Sequence, residues 1–120
     1  MNLAEFYFEQ SKYENNLEML AYDDRYDEWF NLPSAQQKNT DEPQPNNSRS
    51  IAFTRKAIEN YRVILEMYPT YQRVDEALFF LAFMLNDLGE EKEAVDRYNE
   101  LMMNYSDETA EEMAALQDQI

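Results

Sequence analysis

Ala57, Ile58, Tyr61, Ile64, Leu65 and Tyr68 are each answered 37 positions later by a residue of the same kind: Ala94, Val95, Tyr98, Leu101, Met102 and Tyr105. Two unrelated amphipathic helices share a spacing but need not agree in residue type position by position, so matches at one offset mark an internal repeat. Such a repeat cannot bury its apolar face alone and stacks on a neighbour. Between the copies stands Gly89, the only glycine in 120 residues, flanked by apolar runs that both read as helix. One glycine, four prolines and 44% apolar residues leave little turn chemistry for an all-β fold. The predicted fold class is all-α.

Upstream of the repeat, residues 1–31 predict a long helix. Leu3, Phe6, Tyr13, Leu17 and Leu20 fall at helical spacing, and Tyr22, Tyr26, Trp29 and Phe30 form a second stripe in a different phase. The change of phase predicts a bend or break around Ala21 to Asp24. Residues 32–49 combine three prolines with polar side chains and no apolar periodicity, which predicts a loop. The repeat region occupies 50–106. Residues 107–120 predict a C-terminal helix, either a cap or the start of a truncated next copy. About five helices are expected, roughly 2–31, 50–67, 73–88, 90–104 and 107–117.

Charge and missing residue types narrow the chemistry. The formal net charge of −15 is concentrated in the first 31 and last fourteen residues, and such a field repels phosphate backbones and anionic lipid surfaces. The expected partner is therefore not a nucleic acid. The longest apolar stretch, ALFFLAFML at 77–85, is far short of the ~20 residues that cross a bilayer, so no membrane insertion is expected. Cysteine and histidine are both absent, which removes thiolate nucleophiles, Ser-His-Asp triads and the usual zinc sites. Carboxylates abound, but the sequence supplies no apolar pocket that would split the pKa values of a pair. The expectation is a non-enzymatic protein with no metal or cofactor.

The segment DEALFFLAFMLNDLGEEKEAVDRYNELMMNYS, residues 75–106, resembles a tetratricopeptide repeat. Ala82 stands at the small position of helix A, Gly89 at the turn, Ala94 at the opening of helix B and Tyr98 four residues on; Pro69 closes the preceding copy. The likeness covers 74–106, with weaker agreement over 54–69, and no repeat consensus is legible in residues 1–48. Ser106 replaces the second closing proline, and the period is 37 where the family has about 34. The longer linker, YPTYQRVDEA, is similar to variant repeats of bacterial cell-envelope proteins.

The resemblance implies an α-solenoid of antiparallel helix pairs whose concave groove binds a peptide or a partner helix. Helix A positions that line such grooves fall here on Glu76, Phe79, Phe83, Asn86 and Asp87. The family's carboxylate clamp uses positive charge at several of these places, which this chain cannot supply. Phe79 and Phe83, four residues apart, are instead expected to form an apolar shelf flanked by acids, suited to an apolar or basic segment. The alternative is that helix 1 or a neighbouring copy already covers both rings. A second function class stays open, a structural or oligomerising segment of a larger assembly, with homo-oligomers allowed. The N-terminus does not read as a signal peptide; a complete chain would be cytoplasmic and an excised one could belong to the periplasm or cell envelope.

Overall fold

A computed structural model of the protein describes residues 2–68, 72–104 and 114–119. α1 spans Leu3–Phe30, α2 Ser34–Lys38, α3 Ser48–Met67, α4 Val74–Asp87 and α5 Glu91–Asn104. A further helical turn occupies 114–117, and no strand occurs among the described residues. The all-α class is thus observed, and the expected bounds of α1, α3, α4 and α5 fall within two residues of the observed ones. Of the expected C-terminal helix, 107–113 lies outside the described residues. So do Pro69, Tyr105 and Ser106 of the repeat pattern.

The helix ends have local causes. The Asn2 side chain accepts a hydrogen bond from the Glu5 backbone N–H at 2.8 Å and starts α1. Pro33, two residues past the C-cap Asn31, prevents continuation. Asn47, at the start of α3, provides no side-chain cap. Its role passes to α1: the Glu18 carboxylate accepts from the backbone N–H groups of Arg49 and Ser50 at 3.1 and 3.4 Å. One turn earlier, buried Glu14 pairs with the Arg49 guanidinium at 3.4 Å. Two acids at i and i+4 therefore hold the positive end of the α3 dipole against α1.

α4 is apolar on every side, and such a helix is stable only when enclosed. Ala77 through Ala82, Met84 and Leu85 are all buried, and α4 lies against both α3 and α5. Ala57 on α3, Ala82 on α4 and Ala94 on α5 are almost completely inaccessible, so the backbones approach closely at these points. Aromatic rings fill the remaining space: Phe80 stacks on Tyr61 at 6.4 Å and Phe79 meets Tyr98 edge-on at 6.3 Å. Leu78, Leu81, Leu85 and Leu101 belong to this core and Tyr98 packs against it, but Val95 does not. Its side chain is exposed on the far side of α5. At the outer edge Arg62 of α3 grips Glu93 through Nε (3.1 Å) and a second, close guanidinium contact, with Glu90 at 3.7 Å. The Arg62 hydrogen bond holds the Glu93 carboxyl below its ordinary pKa against the opposing effect of burial.

α1 packs antiparallel on α3, giving a second helical hairpin beside α4–α5. With 28 residues against 20, α1 outruns its partner: its second half projects past the start of α3. The chain then folds back along that projection. The Trp29 indole donates to the Thr40 carbonyl at 3.1 Å, and Arg25 to that of Gln44 at 3.4 Å. The expected loop at 32–49 accordingly contains the short α2. No break occurs at Ala21 to Asp24; α1 is one helix. At 100° per residue the two apolar stripes simply occupy different faces of it. The result is elongated, 61 × 26 × 24 Å, with a radius of gyration of 18.6 Å, where a compact chain of this length has about 14 Å.

Gly89 closes α4 with φ of +82°. Its N–H donates to Asn86 O at 3.0 Å and the Glu90 N–H to Leu85 O at 2.8 Å, the paired bonds of a Schellman turn. An added Cβ would meet no atom within 4 Å, so the requirement for glycine is conformational and not steric. Gly89→Val is expected to lower unfolding free energy by about 1–2 kcal/mol and Gly89→Asn by distinctly less. Urea denaturation of the two variants measures the difference.

Candidate functional site

Where the two hairpins meet, side chains of three helices leave a groove of about 440 Å³. The middle of α1 contributes Phe8, Ser11, Lys12 and Asn15; the start of α3 contributes Asn47, Ser50, Ile51 and Thr54; the end of α4 contributes Phe83, Met84, Asp87 and Leu88. Its position follows from the local sequence. Phe8 packs its ring on Phe80 and Phe83, at 5.2 and 6.4 Å, and so wedges α1 against α4. Beyond that wedge the facing residues of α1 and α3 are, Ile51 apart, small or polar, so the aromatic packing is not continued and the surface is concave.

Three hydroxyls of the lining donate within the protein. Ser11 Oγ donates to Phe8 O at 2.6 Å, Ser50 Oγ to Asn47 O at 3.1 Å, and Thr54 Oγ1 to Ser50 O at 2.9 Å. Each hydroxyl donates within its own helix, and the surface left to a ligand mixes polar atoms with the ring and methyl surface of Phe8, Ile51, Phe83 and Met84. Lys12 sits at the α1 rim, its Nζ 2.8 Å from Glu9 and 4.9 Å from the centre of the Phe8 ring. Asp87, exposed at the α4 rim, faces solvent. Burial of an apolar side chain between polar rims is the chemistry this arrangement supports. Among the described residues no group of three or more Asp or Glu side chains is placed to hold a metal ion, and no helix is long and apolar enough to cross a membrane.

The five residues picked out by the family positions do not stay together. Phe83 and Asp87 line the groove. Phe79 is only 1% exposed and belongs to the core, because α4 turns it toward Tyr98 of α5. The expected shelf of Phe79 and Phe83 is therefore replaced by one of Phe83 and Phe8. Glu76, about 17 Å from Asp87 along α4, pairs with Arg73, which also reaches Glu5 of α1 at 2.6 Å. Asn86 is exposed outside the lining. Sequence reasoning missed the whole α1 and α3 contribution, since the regular stripe of α1 drew attention to its other face. Lys12 was the available signal: it is the only basic residue before Arg25.

Comparison with known proteins adds little. No protein-family model and no solved structure matches the chain. A stretch of 26 residues is 85% identical to an ATP-binding protein, ChvD, of Rhizobium radiobacter, covering 22% of this chain and 9% of that protein. A likeness of that extent carries neither a fold nor an activity across.

The separate fates of Phe79 and Phe83 are measurable. Phe79→Ala is expected to cost about 3–5 kcal/mol of unfolding free energy and Phe83→Ala about 1–2 kcal/mol. Equal losses by chemical denaturation would contradict the placement of one ring in the core and the other in the groove.

Proposed function

We propose that the protein is a non-enzymatic interaction module of the tetratricopeptide type, an α-solenoid segment that binds an extended or helical segment of a partner protein. One observation carries the reading: a concavity of mixed polarity, to which Phe8, Ile51, Phe83 and Met84 bring apolar surface, lies at the junction of two helical hairpins. Stacked hairpins use such junctions as binding surfaces, since the scaffold fixes side chains from several helices around one cleft. The residues of the resemblance support it further. Gly89 makes the required left-handed turn, and Ala82 and Ala94 sit where two helices approach.

The pattern of exposure also fits a repeated unit. On α3, Ile58 is buried and Leu65 half-buried; their counterparts 37 residues later on α5, Val95 and Met102, are exposed. α5 thus leaves open the face with which α3 packs in the interior, a face that a further helix could cover.

The partner is a segment with one or two large apolar residues beside a Lys or Arg. The apolar residues would enter the groove and the cation would meet Asp87, in a field set by fifteen net negative charges. Lys12 does not cancel that preference, being engaged with Glu9. The test is a random peptide library selected on the wild-type protein, with the enriched peptides measured against Phe83→Asp. Enrichment of apolar-basic sequences whose binding is lost in the variant, at near-unchanged helicity by circular dichroism, is expected. Enrichment of no sequence class, or binding indifferent to Phe83→Asp, would overturn the reading.

A further inference from the structure

The most regular apolar stripe of the chain faces away from its core. Leu3, Phe6, Tyr13, Leu17 and Leu20 are between 44% and 62% exposed, whereas the core-facing side of the same helix carries Ala4, Phe8, Ser11 and Glu14. With half-buried Gln10 the outer residues advance along α1 in steps of three, four, three, four and three. Alternation of three and four is the seam of a two-stranded coiled coil, in which an apolar stripe keeps facing a second helix. We propose that the occupant of this seam is α1 of a second copy of the chain, lying antiparallel.

The stripe is complementary to itself in that direction. Its six positions are symmetric about the point between Ser11 and Lys12, so an antiparallel copy sets Leu3 against Leu20, Phe6 against Leu17 and Gln10 against Tyr13, each contact made twice. The one polar residue, Gln10, meets the one stripe residue that has a hydroxyl. In a parallel pair Gln10 would face Gln10, and every other layer would likewise join identical residues.

Charge selects the same direction. Asp23, Asp24, Asp27 and Glu28 are exposed in the projecting half of α1. A parallel pair would set these acids beside their duplicates. The antiparallel pair instead separates the two acidic ends, and sets Asp23 just beyond the N-terminal end of the partner helix, where the dipole is positive. On the flank beside the seam, Glu9 then meets Asn16 and Asp23 meets Asn2, so no two carboxylates are opposed. The residual repulsion between two chains of −15 predicts tighter association as salt rises, because the screening length falls from about 10 Å at 0.1 M to about 3 Å at 1 M.

Sedimentation equilibrium and disulfide trapping test the proposal on the full chain. The wild type is expected to show a reversible monomer–dimer equilibrium, strengthened by sodium chloride. Leu17→Glu should be monomeric with its helicity retained by circular dichroism, and Phe83→Asp should still dimerise, which separates this surface from the groove. Because the chain has no cysteine, Phe6→Cys mixed with Leu17→Cys should give a mixed disulfide under mild oxidation, while neither protein alone should cross-link efficiently. A wild type monomeric at submillimolar concentration, a dimer insensitive to Leu17→Glu, or ready cross-linking of Phe6→Cys to itself would each overturn the antiparallel pair.

Discussion

Enclosure of α4 is the constraint on which the rest of the molecule depends. A fourteen-residue helix carrying Leu78, Phe79, Phe80, Leu81, Met84 and Leu85 around its circumference has no face to turn to water. It must be held on two sides, and α3 and α5 supply them. That requirement explains the alanines, since Ala57, Ala82 and Ala94 let three backbones come close enough for the larger rings to interlock. It also explains the glycine: α5 can return along α4 at once only if the chain reverses within a left-handed turn. The Arg62–Glu93 pair at the edge is secondary, being partly exposed and worth at most about 1 kcal/mol.

α1 is attached to this core by a different kind of contact. Near its start Phe8 inserts between Phe80 and Phe83, and the Arg73–Glu5 pair ties its first turn to the beginning of α4. Toward its middle the packing becomes polar. Ser11, Glu14, Ser50 and Thr54 are buried there, with Glu14 and Glu18 gripping the end of α3. The groove exists because of this change of character, since small hydroxyl residues leave space that large apolar ones would have filled. Beyond the groove α1 has no long helix to lie on, and the returning segment meets it chiefly through exposed hydrogen bonds such as those from Arg25 and Trp29.

Residue types sufficed to place the helices and most of the interior, because a repeat at 37 residues and a lone glycine permit few arrangements. They did not suffice for facing. Leu3, Phe6, Tyr13, Leu17 and Leu20 stand at helical spacing, and the structure places them on the outer face of α1. Periodicity reports that a face is apolar, and a helix can carry two such faces while only tertiary packing decides which is covered within the chain. The same ambiguity suggested a break at Ala21 to Asp24 where one continuous helix changes its apolar side. Family positions misplaced Phe79 for a related reason: in an all-round apolar helix four residues of spacing do not determine which neighbour each ring meets. Asp87 and Phe83 were found at the groove, but Phe8, Lys12 and Ile51 come from parts of the chain with no legible repeat pattern.

If the enclosed α4 is the centre of stability, local opening should be graded outward from it. Hydrogen exchange of the backbone amides, read residue by residue by NMR, measures that gradient directly. The amides of Leu78 to Leu85 are expected to exchange only through global unfolding, those of α3 and the first half of α1 somewhat faster, and those of residues 21–30 fastest among the long helices. Protection in residues 21–30 equal to that of α4, or exchange of α4 ahead of α1, would contradict a molecule organised around the burial of α4.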